Sequence, residues 1–243
     1  MIDLHSHILP GLDDGAQSLE DSVAMARLAV DSGITAMVAT PHCADDRRRE
    51  TYDSWLFLRD VLHECRIPLE LYLGMEIFGT PDTARMLREG QLYTLNGSQY
   101  PLIEFAFRTD CTEETRILES VCNAGFHPIV AHPERYAFVQ QVPEIMNEWF
   151  QMGCLFQINR GSLMGRFGSE PRHMAMELVK RGFACAVASD GHSPRMRTPW
   201  MADVHQMLSR EVSPAAAEIL LMENPASILR NQPLDPVEPE WFS

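Results

Sequence analysis

Residues 123–132, "NAGFHPIVAH", decide how this chain folds. Gly125 stops a helical stretch, Pro128–His132 is an apolar run of strand length, and a histidine stands at its end. Glycine closes helices because it accepts positive φ, and a short apolar run between turn signals reads as a strand. The same punctuation recurs at Gly153 and Gly182, each just before another strand candidate. Seven candidates follow: Ile2–His5, Ile34–Thr40, Leu69–Glu76, Leu102–Phe105, Pro128–His132, Leu155–Ile158 and Ala184–Ser189. Helical stretches fill the intervals, the first opened in capping-box fashion by Ser18-Leu19-Glu20-Asp21 and stopped by Gly33. Repeated strand-then-helix units require parallel strands with crossover helices, so the class is α/β. Seven units suggest a closed or distorted barrel, with a doubly wound open sheet as the alternative.

The 243 residues are within the usual size of one such barrel. No low-complexity linker divides them, so a single barrel domain is expected over 1–232, followed by a Pro-rich tail over 233–243. With 45% hydrophobic and 22% charged residues the chain reads as a soluble globular protein, and no apolar run is long enough to insert in a membrane. The first residues lack the basic and apolar regions of a signal peptide, so a cytoplasmic location is expected. Six cysteines without a CxxC pair fit reduced thiols. Acidic residues outnumber basic ones 34 to 20, a formal charge of −14 that counts against a nucleic-acid-binding module.

Ligand-type residues collect at the strand ends. His5 and His7 follow the first strand, His42 the second, Glu76 ends the third, and Glu104 lies in the fourth. His132 ends the fifth, and Asp190 and His192 follow the seventh. In a parallel barrel these ends open on one face, where barrel active sites are built. Any one such residue is ordinarily a cap or a solvated group, but agreement across six strands is a much stronger signal. His63, His127, His173 and His205 fall outside the pattern and read as surface or packing residues.

A cavity holding Asp14, Glu76, Glu104 and Asp190 would repel itself unless cations neutralised it. Imidazoles and carboxylates without cysteine favour Mn, Fe or Zn, and four carboxylates suit two or three divalent ions. Glu76 can bridge two of them, with a hydroxide between ions about 3.5–4 Å apart. Asp13-Asp14-Gly15 alone would be an acidic turn in which Gly15 supplies positive φ. Beside His5-Ser6-His7 it reads instead as Asp14 ligating and Asp13 orienting a ligand histidine. Arg135, three residues after His132, and Arg197, after Asp190, suit a phosphate whose oxygens match the guanidinium fork. Phosphate-ester hydrolysis is the reaction this pattern supports best.

A competing pattern is His42-Cys43 followed by Arg49, the HC-x5-R spacing of cysteine-dependent tyrosine phosphatases. That loop lacks glycine and carries Asp45 and Asp46, which oppose an anion. Cys154 and Arg160 repeat the C-x5-R spacing, which shows how readily it arises by chance.

Together "DLHSHILPGLDDG", "ATPH", "GMEI", "LIEFAF", "AHPERY", "GSLMGRFG", "SDGHSP" and "ENPASIL" run in order from residue 2 to about residue 230. The set resembles the PHP-type bacterial protein-tyrosine phosphatases of capsule and exopolysaccharide systems, within the polymerase and histidinol phosphatase superfamily. The resemblance implies a distorted (β/α)7 TIM-like barrel, the PHP fold, with a trinuclear and usually manganese-dependent site. It implies that His5, His7, Glu76 and Asp190 hold one metal, that Glu76, Glu104 and His132 hold a second, and that Asp14, His42 and His192 hold the third. Arg135 and Arg197 would bind phosphate, and the partner would be the tyrosine-rich tail of a membrane-associated tyrosine kinase. The loop after His42, "CADDRRRETYD", departs from the family pattern. The reading is therefore direct hydrolysis of phosphotyrosine by a metal-bridging hydroxide. The alternatives are a small-molecule phosphatase of the histidinol-phosphatase type, a cysteine mechanism through Cys43, and a non-catalytic phosphotyrosine-binding module.

Overall fold

A computed structural model of the chain describes residues 1–42, 48–107 and 111–243. Eight strands run β1 (Ile2–Ser6), β2 (Ala36–Ala39), β3 (Glu70–Leu73), β4 (Glu76–Phe78), β5 (Leu102–Glu104), β6 (Ile129–Ala131), β7 (Leu155–Asn159) and β8 (Ala184–Ala188). All pairings are parallel, β1-β2-β3 in one sheet and β4-β5-β6-β7-β8 in the other. Bridges at Ser6–Gly191 and His42–Glu76 join the two sheets at both seams. The result is a distorted barrel, and the doubly wound open sheet is set aside.

The run 69–76 is not one strand but two, β3 and β4, and Glu76 opens the second instead of ending the first. The reason is steric and local. Gly74 comes so close to β2 that a Cβ there would lie 2.9 Å from Val38 Cγ1. After donating its N–H to Ala39 at 2.9 Å, the chain leaves β3, and Glu76 donates to Pro41 at 3.1 Å before β4 pairs with β5.

The helices are α1 (Leu19–Asp31), α2 (Arg48–Glu64), α3 (Thr83–Arg88), α4 (Thr112–Asn123), α5 (Ala137–Gln141), α6 (Ile145–Gln151), α7 (Arg160–Leu163), α8 (Ser169–Lys180), α9 (Ala202–Glu211), α10 (Pro214–Glu218) and α11 (Asn224–Leu229). As the sequence indicates, Ser18 caps α1 by accepting the Asp21 N–H at 3.2 Å, satisfying a donor the helix leaves unpaired. Gly33, Gly125, Gly153 and Gly182 all have positive φ where a helix turns back toward a strand.

The main core lies between strands and helices and includes Ile103, Val130, Phe156, Trp149, Leu178 and Phe183, each at most 2% exposed. A smaller cluster joins Leu4, Val38, Leu102, Ile129, Ala131 and Ala186 of the strands to Ile228 and Leu229 of α11. Asp3 clasps the last strand to the first, accepting from Ser189 N at 2.9 Å and Ser189 Oγ at 2.6 Å. At the other end of β8, Phe242 stacks on Phe183 at 5.3 Å, and Glu240 donates its N–H to Arg181 at 2.8 Å. No helix among the described residues is long and apolar enough to cross a membrane.

Candidate metal centre

His5 and His7 are fully buried, and each is aimed by a partner on its Nδ1. Gln157 of β7 accepts a hydrogen bond from His5 Nδ1 at 2.8 Å, and Asp13 accepts one from His7 Nδ1 at 2.7 Å. Both Nε2 atoms are thereby turned inward, 3.2 Å apart and each 3.2 Å from a Glu76 oxygen. A ring nitrogen whose neighbour is tied to an acceptor is fixed in tautomer and orientation, as metal-ligating imidazoles require.

The loop after β1 brings Asp13 and Asp14 back over His7. Ala16 N donates to His7 O at 3.0 Å, and Asp13 also accepts from Gly15 N at 2.9 Å and His42 N at 3.0 Å. Gly15 does not take the positive φ that a bare acidic turn would use; it is needed for close approach. A Cβ there would stand 2.2 Å from His7 O and 2.4 Å from His7 Cβ. Asp14 remains 62% exposed, with Oδ1 at 3.4 Å from Nε2 of both His42 and His192.

Glu76 is the hub. Its carboxylate lies 3.1 Å from His42 Nδ1 and 2.9 Å from His132 Nε2, besides His5 and His7. Glu104 reaches the same His42 Nδ1 at 2.9 Å. Asp190 Oδ1 lies 3.6 Å from His5 Nε2 and 3.5 Å from His7 Nε2. Its other oxygen accepts from Asn159 at 2.5 Å, Arg197 at 2.5 Å and Arg135 at 3.4 Å. His132, Asp190 and Arg197 all have positive φ without being glycine, so local strain is concentrated at this end of the barrel.

The donor atoms fall into four sets, each within 4.8 Å: His7, Asp14, His42 and His192; His5, His7 and Asp190; His5, Glu76 and His132; His42, Glu76 and Glu104. The structure thus brings together all nine residues singled out as ligand candidates, although Glu104 sits with His42 while His132 sits with His5. Arg135 and Arg197 border the same cluster.

The buried imidazoles and carboxylates shift one another strongly. Burial works against charge on His5, yet the carboxylates of Glu76 and Asp190 outweigh it and push the imidazole up to about 9. His7 is likewise raised, burial being outweighed by its bonds to Asp13 and Glu76. Burial would raise Glu76 and Asp190, but facing His5 holds both well below the usual carboxylate range, with His132 bonding Glu76 and Arg197 beside Asp190. His192 is pushed down to about 4, by burial and then by His7. Asp13 is held at about 2: burial opposes this, and the bond from His7 prevails.

Divalent cations fit this donor set. The groups are imidazole nitrogens and carboxylate oxygens, the combination taken by Mn, Fe or Zn. His132 Nδ1 and Gln157 Nε2, at the back of the cluster, are buried polar atoms with no protein partner.

Sequence reasoning passed over Gln157 and Asn159 of β7, a strand that supplies no candidate ligand. The available signal was two amides inside an otherwise apolar run, Leu155-Phe156-Gln157-Ile158-Asn159. It also passed over Asp203, which holds the buried Arg160 guanidinium at the start of α7 with bonds of 2.8 and 2.5 Å. The competing cysteine pattern centres on Cys43, which lies outside the described residues.

A family model described as capsular polysaccharide synthesis, CpsB/CapC, matches residues 1–230. The tyrosine-protein phosphatase YwqE of Bacillus subtilis (strain 168) is 34% identical over 239 residues, spanning 96% of this chain and 92% of that relative. The tyrosine-protein phosphatase CpsB of Streptococcus agalactiae serotype V is 32% identical over 244 residues, spanning 95% and 99%. A solved structure from work on YwqE of Bacillus subtilis and CpsB of Streptococcus pneumoniae, described as unique metal-dependent tyrosine phosphatases, aligns with a TM-score of 0.94. It is 32% identical and covers 100% of both chains.

Proposed function

The chain belongs to the CpsB/CapC family of capsular polysaccharide synthesis proteins, and on that premise we propose that it is a metal-dependent phosphotyrosine-protein phosphatase. The observation that carries the reading is convergence. Donors from the ends of β1, β2, β4, β5, β6 and β8 meet around Glu76, and two guanidiniums reach Asp190 at the edge of that cluster.

Three divalent ions, manganese by preference, would be held by His5, His7, Asp14, His42, Glu76, Glu104, His132, Asp190 and His192. When bound, such ions supply Lewis acidity and activate water as a nucleophile at neutral pH. The protein contributes position. Gln157 and Asp13 fix the ring nitrogens that His5 and His7 present, and Asn159 steadies Asp190. Arg135 and Arg197 would receive the phosphoryl oxygens through charge-assisted bonds and stabilise charge that builds in the transition state. Tyrosinate, with a parent pKa near ~10, leaves with less protonic help than an alkoxide, which favours an aryl ester.

We take the substrate to be the phosphorylated tail of a membrane-associated tyrosine kinase, met in the cytoplasm by the barrel domain of residues 1–232. Asp14, at 62% exposure, and His42, at 37%, put one side of the cluster in contact with solvent, which suits an extended protein segment. The test is hydrolysis of a phosphotyrosine peptide by metal-stripped protein with and without added Mn²⁺. Wild type and Cys43→Ser should recover activity with Mn²⁺ while His132→Ala should not. Activity in the stripped protein that is abolished by Cys43→Ser would overturn the reading in favour of the cysteine mechanism.

A further inference from the structure

In a phosphotyrosine ester the ring begins one oxygen away from phosphorus. A phosphoryl group held by Arg135 and Arg197 therefore sets its ring beside whatever flanks those arginines. Arg135 is flanked by aromatics: its guanidinium carbon lies 4.9 Å from the ring centroid of Phe107 and 4.3 Å from that of Phe167.

The two phenylalanines are placed differently. Phe167 belongs to the "GSLMGRFG" segment, to which the ligand analysis gives no role. A Cβ at Gly161 would stand 2.6 Å from Phe167 Cε2, so only glycine lets this ring fold back onto α7. Arg166 N reinforces the turn by donating to Gly161 O at 2.8 Å, and Gly165 and Gly168 both take positive φ. The segment thus presses Phe167 against Arg135. Phe107, two residues beyond the end of the run that carries Glu104, stacks on His132 at 6.0 Å and 27° and meets Tyr136 at 5.6 Å. It nevertheless remains 52% exposed. One aromatic surface is thus spent on the protein and another is left open at the rim of the phosphoryl seat.

We propose that Phe107 is a specificity-determining residue that receives the phenyl ring of the substrate and so selects aryl over alkyl phosphates. Phe167 is the positioning residue that holds Arg135 for it. The assignment rests on the phosphatase reading above and deepens it. Aromatic rings gain from offset or edge contacts with one another, and an alkyl ester such as phosphoserine has no ring to offer.

The test compares binding of phenylphosphonate, propylphosphonate and inorganic phosphate to the Mn²⁺-loaded protein by titration calorimetry. Phosphotyrosine and phosphoserine peptides of one sequence are assayed in parallel. Wild type should prefer the phenyl compound over the propyl one, and Phe107→Ala should cut that preference about three- to tenfold. Phe107→Tyr should restore it, which separates loss of the ring from damage to the fold. An unchanged preference in Phe107→Ala overturns the proposal. So does an equal loss for all three ligands, which would leave Phe107 as a support for Arg135 only. If wild type neither binds the phosphonates nor hydrolyses the phosphotyrosine peptide, the phosphatase reading itself fails and this assignment falls with it.

Discussion

At the scale of single residues, the site depends on groups that bind nothing themselves. Asp13 accepts from His7 Nδ1, Gly15 N and His42 N, so one carboxylate orders a ligand candidate, its loop and the backbone of a second ligand candidate. Asp13→Ala should weaken divalent-ion binding about 10–100-fold, read from competition with a fluorescent chelator. Ion uptake by Asp13→Ala equal to wild type would show that the bond to His7 is dispensable. The histidines and carboxylates were legible in the sequence because they recur at the ends of six strand candidates, where any one alone would pass for a cap or a solvated group. Gln157, Asn159 and Phe107 were not, since an amide in a strand or a phenylalanine after one has many ordinary uses. The role of Gly15 was not legible either: a glycine kept for positive φ and one kept for contact look alike until the distance to His7 is known.

Among elements, α7 and α9 are coupled by one ion pair. Arg160 is 3% exposed, and its guanidinium is held by both oxygens of Asp203. Asp203→Asn should cost about 2 kcal/mol in urea unfolding, because a buried guanidinium loses a charged acceptor. Burial opposes ionisation of Asp203, but the bond from Arg160 prevails and its folded pKa lies below the usual 3.8. The pair's stabilisation is therefore full above that value and disappears as pH falls through the lower folded one, so wild type and variant should converge in acid. The strand-and-helix alternation was readable because glycine punctuation and apolar runs recur with one rhythm. The split of 69–76 was not, because "LELYLGME" is a plausible single strand and only the passage of Gly74 against Val38 divides it.

For the whole molecule, the formal charge of −14 and the packed carboxylates of the cluster set the response to metal. An ion that binds only the folded state stabilises it by mass action, about 2.7 kcal/mol at a hundredfold excess over Kd. Divalent ions should therefore raise the thermal midpoint of the stripped protein, followed by scanning fluorimetry, and a chelator should reverse it. Binding must also displace protons. His5, near 9 without metal, is charged at neutral pH and can ligate only after losing that proton, so apparent affinity should rise with pH toward that value. Calorimetry in buffers of different ionisation heat will report the protons released; a heat independent of buffer would contradict the charged state assigned to His5.

The clasp between Asp3 and Ser189 joins residues 186 positions apart, and it lies directly beneath the pairing of His5 with Asp190. A ribosome releasing this chain sets out its first two histidines long before the aspartate they await. No nascent fragment short of the last strand holds a complete cluster, so the hydrolytic power of the protein arrives in a single late event, when the first strand meets the last.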